Sequence, residues 1–325
     1  MSWSQLHGRL HQTLRDKQLL QRGEGVLVAV SGGQDSLCLT KLLLDLQPKW
    51  EWKIAIAHCD HGWSSDEGIA DHVEKIAKEW GINYAQKTAE KIKETEAAAR
   101  KWRYEALREI AETEGLENIV TGHTLSDRAE TVLYNLIRGA GADGIATLTW
   151  ERQLTEKIRL VRPILNISRR ETGEFCQAYK LPIWEDAANK NMRYARNRIR
   201  QDLIPYLKEQ FNPQVEKALA QTGEILREEV EYLENCAQEI LAISITENKK
   251  GLNRGILKKK PLALGRRVVK KFLEIHGKKA PKFEEIETVM QLMKAPNKSR
   301  TSSLSGGWHL EVEGEWIVFR DLKKK

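Results

Sequence analysis

Two kinds of hydrophobic segment alternate along the first half of the chain. Val26–Val30, Lys53–His58, Ile82–Gln86 and Asn118–Thr121 are short apolar runs, too brief for helices. Between them, Leu37–Leu46, Glu67–Trp80, Glu94–Glu114 and Ser126–Arg138 repeat apolar residues at helical spacing. A first helix is predicted over Ser4–Leu20, where Leu6, Leu10 and Leu14 share one face. Strand–helix alternation of this kind builds a parallel sheet with helices on both faces. The predicted fold class is therefore α/β, a doubly wound parallel sheet over roughly residues 24–190.

Beyond about Asp186 the pattern changes. Tyr194–Gln210 and Gln214–Ile243 read as helices, with Pro213 at the start of the second. ENKKGLNRG reads as a loop, and two shorter helices are predicted near Ala263–Ile275 and Phe283–Met293. The final GGWHLEVEGEWIVFRD alternates apolar and polar residues on both sides of Glu313-Gly314, a β-hairpin pattern. The 325 residues suffice for two domains. The expected division is a catalytic domain over 1–210 and a mainly helical, basic domain over 211–325 ending in the hairpin.

Composition narrows the class. Hydrophobic residues make up 41% and charged residues 30%, as in globular proteins. Cys38, Cys59, Cys176 and Cys236 are scattered without a C-x-x-C pair, so neither a disulfide framework nor a zinc site is indicated. Free thiols and a cytoplasmic location are expected. The first twenty residues hold no apolar signal core, and no run approaches the roughly 20 apolar residues of a membrane helix. The net charge of +7 is only a mild pointer to a polyanionic partner. Its distribution says more. Between Lys249 and Lys282 there are thirteen basic residues and one acid, Glu274. That is the footprint expected of an RNA-binding surface, with a solvated lysine-rich face as the plainer alternative.

The first strand runs into Ser31-Gly32-Gly33-Gln34-Asp35-Ser36 and then at once into a helix. Gly32 and Gly33 allow backbone angles that a Cβ resists and let a ligand approach the main chain. Unpaired N–H groups at the helix start attract anions, and Ser31 and Ser36 add hydroxyl donors. A phosphate cradle is expected at the carboxyl end of the strand. No lysine follows the glycines, which excludes the motor-type P-loop, and G-x-G-x-x-G is absent. In the lysine's place stands Asp35, an acid that suits Mg²⁺ held beside phosphates. The plainer alternative is a glycine turn that only lets strand and helix pack.

S-G-G-x-D-S after a first strand resembles the PP-loop of the N-type ATP pyrophosphatases. That superfamily cleaves ATP between its α and β phosphates and adenylates a substrate oxygen, which a nucleophile then displaces. Further stretches resemble one member: AHCDHG (57–62), EAAARKWRYEAL (96–107), TGHTLSDRAETVLYNLIRGAG (121–141), RPIL (162–165) and WEDAANKNMRYARNRIRQDLIPYL (184–207). Their order and wording resemble the tRNA(Ile)-lysidine synthetase family across residues 24–207. The resemblance implies ATP and Mg²⁺ as cofactors, and free lysine and a tRNA(Ile) with a CAU anticodon as substrates. It implies adenylation of the wobble cytidine at C2, then attack by the lysine amine to give lysidine, AMP and pyrophosphate. A homodimer is compatible with it.

Roles follow for particular residues. ATP contacts are expected from Ser31, Gly32, Gly33, Gln34, Asp35, Ser36, His58 and Gly122. Asp35, His123, Asp127 and Glu130 are the candidate catalytic group. Asp127 and Glu130, three apart on a helix, share a face and suit an ammonium or Mg²⁺. His123 suits the phosphates or the proton of the attacking amine. A helix cap at Asp127 with solvated charges is the plainer alternative. His58, Asp60 and His61 could instead form a metal site, although no cysteine or carboxylate spacing completes one. Guanidinium forks suit phosphate and carboxylate, so Arg100, Arg103, Arg196 and Arg198 are candidate lysine or phosphate contacts. Arg193, Arg200, Lys258, Lys259, Lys260, Arg266 and Arg267 are candidate tRNA contacts.

Two departures stand out. Trp63 and Ser64 occupy the place of the family's usual leucine-arginine, and Asp186-Ala-Ala-Asn189 stands for its D-x-S-N. Some members continue into a further C-terminal domain, and this chain reads as a shorter form. Two other functions remain open: a different PP-loop enzyme such as a tRNA thiolase, and an RNA-binding protein without turnover.

Overall fold

The computed structural model describes residues 3–63, 66–146, 148–184, 192–248, 250–277, 280–304 and 307–321. The chain divides into two compact units, 1–226 and 227–325. The divide falls inside a long helix, Val215–Ser244, and not at 210 where the composition shifts.

In the first unit the elements run α1 (Gln5–Asp16), β1 (Gly25–Ala29), α2 (Gln34–Trp50), β2 (Lys53–Asp60), α3 (Ile69–Trp80), β3 (Asn83–Thr88), α4 (Glu96–Glu114), β4 (Asn118–Thr121) and α5 (Leu125–Ile137). They continue through α6 (Ala142–Ile145), β5 (Glu151–Gln153), β6 (Arg159–Val161), α7 (Arg169–Ala178), α8 (Ala195–Arg198), α9 (Ile204–Gln210) and α10 (Val215–Ser244). The six strands lie in the order β3-β2-β1-β4-β6-β5, all parallel except the edge strand β5. Chain order therefore reverses direction between β1 and β4. Open α/β sheets bind ligands at that point, beyond the carboxyl ends of the strands.

Alternation along the strands builds both faces. Val26 and Val28 of β1 point into a core with Ile56, Val120 and the apolar faces of α1, α2 and α3. Leu27 points the other way, onto Ala55, Ile119 and the Leu107, Ile110 and Ala111 stripe of α4. Both faces of the central strands are thus dry, which is why β1 reads as an unbroken apolar run.

Several boundaries differ from the pattern. α1 stops at Asp16 because Gln18 takes a positive φ of 51° and turns Leu19 and Leu20 into the core. α2 begins three residues before Leu37, directly behind Gly33. β5, β6 and α7 carry too few apolar residues to show as elements in the sequence.

The second unit holds the rest of α10, then β7 (Gly251–Asn253), α11 (Arg254–Leu257), α12 (Leu262–His276), α13 (Phe283–Leu292), β8 (Trp308–Glu313) and β9 (Trp316–Asp321). The expected hairpin is β8–β9, turning through Gly314 at φ 58°. ENKKGLNRG is not wholly a loop. Gly251–Asn253 add a third strand to the hairpin, pairing with β9. Phe272, Val268, Leu310 and Ile317 are among the residues of this unit's own core.

Candidate active site at the carboxyl edge of the sheet

A cavity of about 340 Å³ opens where β1, β2 and β4 end, lined by Ser31, Gly33–Ser36, His58, Thr121–His123 and Asp127. Its first wall is the β1–α2 turn. Gly32 has φ 76°, a region that favours glycine, and Gly33 caps α2 without any side-chain hydrogen bond. The first-turn N–H groups of α2 therefore keep no capping partner of their own. The Ser36 hydroxyl donates to the Gly33 carbonyl at 2.9 Å and receives the Ser31 N–H at 3.3 Å, which holds the loop closed on itself.

Asp35 stands in the first turn of α2. Thr172 of α7 donates to its carboxylate, and Arg169 Nη1 lies 3.6 Å away. Gln34 braces the same pair, donating to the Arg169 carbonyl at 2.6 Å and to Thr172 at 2.8 Å. Burial pushes the Asp35 carboxyl above its ordinary range, against the pull of Arg169. Arg169 and Thr172 escaped the sequence reading. The signal was there in Ser168-x-x-Glu171, a capping box that starts α7 beside the loop.

The second wall is the β4–α5 turn. Gly122 is a glycine for want of space: a Cβ there would meet the Asp35 carbonyl carbon and oxygen at 2.9 Å. Thr124 caps α5, and Asp127 completes a capping box by accepting the Thr124 N–H at 2.7 Å. So the helix cap is Thr124, and Asp127 spends one oxygen on it. The other faces Arg200, at 3.4 Å. Arg200 also forms a fork onto Glu130, at 2.6 and 2.8 Å. Arg200, expected at the tRNA backbone, thus sits with the two carboxylates. It rides on a π turn, Ile199–Leu203, just before Pro205, which has no N–H to give the ladder.

Burial pushes Glu130 above its ordinary range despite Arg200. Burial would also raise Asp127, but the Thr124 N–H, Arg200 and the Thr124 hydroxyl together hold it below. His123 lies 2.8 Å from the Thr121 hydroxyl. Burial, with Arg162, Arg103 and Arg100 nearby, holds His123 neutral far below the ordinary histidine range. His58 is buried, and its Nδ1 lies 2.8 Å from the Val30 carbonyl. Nδ1 must therefore carry the proton, which leaves Nε2 a buried acceptor with no partner among the described residues.

The other candidates are dispersed. Arg103 lines the cavity, while Arg100 lies 5.7 Å from the Tyr104 ring outside it. Arg196 and Arg198 do not reach the cavity: Arg196 lies over Tyr134 at 5.7 Å, and Arg198 donates to the carbonyls of Met192 and Arg193. Arg193 holds one of those carbonyls and stays outside the cavity lining. His61 pairs with Asp66 at 3.1 Å and stacks on Trp63 at 5.0 Å. No group of three or more metal-ligating His, Cys, Asp or Glu side chains occurs among the described residues. Ser64, Asp186 and Asn189 lie outside them.

In the second unit, Lys258, Lys259 and Lys260 follow α11 and are exposed. The basic run there is partly neutralised from outside its own window. Arg266 pairs with Glu287, and Glu234 takes both Arg267 and Lys271. Arg254 is buried and donates to the Ala295 carbonyl. The count of thirteen to one therefore overstates the free charge.

An uncapped helix start, a neutral histidine and the carboxylates of Asp35 and Asp127 around one cavity define a nucleotide-using α/β enzyme. Residues 4–207 match the PP-loop domain family. A solved U34-tRNA thiolase from Methanococcus maripaludis shares the fold at a TM-score of 0.58 and 18% identity, over 68% of this chain and 77% of that one. The tRNA(Ile)-lysidine synthase of a Nostoc sp. strain is 51% identical over 100% of this chain and 99% of its own. That of a Synechocystis sp. strain is also 51% identical, over 98% of both. A chloroplastic tRNA(Ile)-lysidine synthase from Zygnema circumcarinatum is 35% identical over 86% of this chain and 78% of its own. The chain belongs to the tRNA(Ile)-lysidine synthase family.

Proposed function

We propose that the protein is an ATP-dependent C–N ligase that converts the wobble cytidine of a CAU-anticodon tRNA(Ile) to lysidine. The observation that carries this is the pairing of two opposite seats at one sheet edge: the uncapped start of α2 for phosphate, and Asp127 with Glu130 for a cation. Ser31, Gly32, Gly33, Gln34 and Ser36 cradle the ATP phosphates. His58 Nε2 accepts a hydrogen bond from the adenosine. Asp35, a single carboxylate beside the cradle, fits the mode in which Mg²⁺ takes one or two carboxylates and completes its shell with phosphate and water. When bound there, the ion neutralises the leaving pyrophosphate.

The C2 oxygen of cytidine attacks the α-phosphorus, and pyrophosphate leaves. The lysine amine then attacks C2, gives up its proton, and AMP leaves. Asp127 and Glu130 receive the ammonium of incoming lysine in exchange for Arg200. His123, held neutral, is the acceptor for the amine proton. Arg103 and Arg169 face the phosphates. The second unit supplies tRNA affinity through Lys258, Lys259 and Lys260. A cytoplasmic homodimer belongs to the same reading; no helix among the described residues is long and apolar enough to cross a membrane.

A thiolase reading fares worse. Cys59 is the one cysteine among the cavity's lining residues, and burial pushes its thiol up to about 12, the reverse of an activated thiol. The deciding experiment is transfer of radiolabelled lysine to CAU-anticodon isoleucine tRNA, with ATP and Mg²⁺. Wild type labels the tRNA, and Asp35→Ala lowers the rate roughly 10³-fold. Unlabelled tRNA with ATP still cleaved to AMP would overturn the substrate and leave the nucleotide chemistry.

A further inference from the structure

A second cavity, of about 610 Å³, opens along the same helix as the carboxylates. Tyr134 and Ile137 of α5 form one wall, and Ile199, Leu203 and Tyr206 form the other. Its surface is almost entirely apolar, yet it is open to solvent: Ile137 is 66% and Tyr206 55% exposed. Aromatic and aliphatic side chains of this size are usually covered, so the cavity calls for an occupant.

Position narrows the choice. Tyr134 is one turn beyond Glu130, and Ile137 and Arg138 about one turn further, so the cavity starts roughly 6 Å along the helix axis from Glu130 and about 10 Å from Asp127. On the opposite wall Ile199 flanks Arg200, whose guanidinium closes that pair. Chemistry narrows it further. Arg138 lies 5.2 Å and Arg196 5.7 Å from the Tyr134 ring, and Arg198 also lines the cavity. Asp202 is the one carboxylate residue among the described lining. Aromatic faces beside arginine planes over an apolar floor receive unstacked bases of single-stranded RNA. A second copy of the chain suits the site less. A two-fold contact sets the same patch against itself, which would bring these arginines face to face.

We infer that this cavity holds one splayed-out base of the tRNA anticodon loop, a direct neighbour of the cytidine seated at the catalytic cavity. The inference rests on the tRNA reading above. The captured neighbour fixes the register of the loop, so that the wobble cytidine and no other pyrimidine reaches the α-phosphate of ATP. Because stacking is tolerant of base identity, the cavity reads position and not sequence.

The test uses the full chain with a CAU-anticodon isoleucine tRNA carrying 2-aminopurine on one or the other side of the wobble cytidine. With wild type, fluorescence at one of the two positions changes on binding without ATP. Tyr206→Ala and Ile137→Ser are expected to abolish that change and to raise KM for the tRNA about 5- to 100-fold, with KM for ATP and lysine unaltered. Tyr206→Phe, which keeps the ring, restores both. Equal fluorescence and equal tRNA KM in wild type and Tyr206→Ala would overturn the inference. So would a shift of Tyr206→Ala from dimer to monomer in sedimentation with tRNA KM unchanged, which would assign the cavity to a second copy. If wild type itself neither binds nor lysinylates the tRNA, the functional reading has failed, and the cavity's role with it.

Discussion

Two helices begin side by side at the carboxyl edge of the sheet, and they begin in opposite ways. α2 starts at Gly33 with no side chain on its first N–H groups. α5 starts at Thr124 with a complete capping box that uses the Thr124 hydroxyl and Asp127. An uncapped helix start keeps its dipole and donors for an anion. A capped one spends its donors at home and instead presents what the cap and the next turn carry, here Asp127 and Glu130. On the proposed reading one sheet edge thus offers a seat for phosphate and a seat for a cation, and the choice between them lies in whether glycine or threonine precedes the helix. Adenylation and amine attack need both seats within reach of one base.

Gly122 interlocks the two starts. Its missing Cβ lets β4 pass against Asp35 and Ser36, where an added methyl would meet backbone at 2.9–3.0 Å. Backbone cannot yield as a side-chain tip can, so Gly122→Ala is expected to cost about 1–3 kcal/mol. It should also misplace the phosphate loop and lower kcat/KM for ATP in tRNA-dependent pyrophosphate exchange by roughly 10²-fold. Thermal melts and exchange rates check both. A fully active Gly122→Ala would mean that the two seats are set independently.

Glu130→Gln separates the seats. It keeps the shape of the side chain and removes its charge, while the α2 start is untouched. Losing a charge-assisted hydrogen bond of about 1.5–3 kcal/mol is expected to raise KM for lysine roughly 10- to 100-fold. Pyrophosphate exchange, which needs no lysine, should stay near wild type. A loss of exchange equal to the loss of transfer would show that Glu130 serves the phosphate side instead.

How much of this was legible follows from what each feature depends on. β1 and the phosphate loop were readable because a doubly buried strand is an apolar run and the turn behind it is written in glycines. The helical placement of Asp127 and Glu130 followed from spacing alone. Arg200 was not readable as their partner. It is about seventy residues away, and its aim depends on the π turn before Pro205. Arg169 and Thr172 were missed because α7 sits next to Asp35 only through tertiary packing. The basic run of the second unit misled in part, since Glu234 and Glu287 reach it from neighbouring helices.

The smallest expected effect concerns the histidines at the two starts. His58 beside β1 and His123 beside β4 are both held neutral, chiefly by burial. Their folded-state values lie below 6.5, so as pH falls from 7 the unfolded chain takes up protons that the folded chain refuses. Their contribution is present above the unfolded value and is lost on acidification below about 6.5. Each histidine should remove at most about 1 kcal/mol of stability between pH 7 and pH 5.5. The raised carboxyls of Asp35 and Glu130 act with the opposite sign, but they are common to wild type and variant. His123→Asn keeps a hydrogen-bonding group near Thr121 and has no proton to gain. Its denaturant midpoint should therefore fall less steeply with acidification than that of wild type. Parallel slopes would mean that His123 titrates in the folded chain as it does in the unfolded one, and burial would then not be what keeps it neutral.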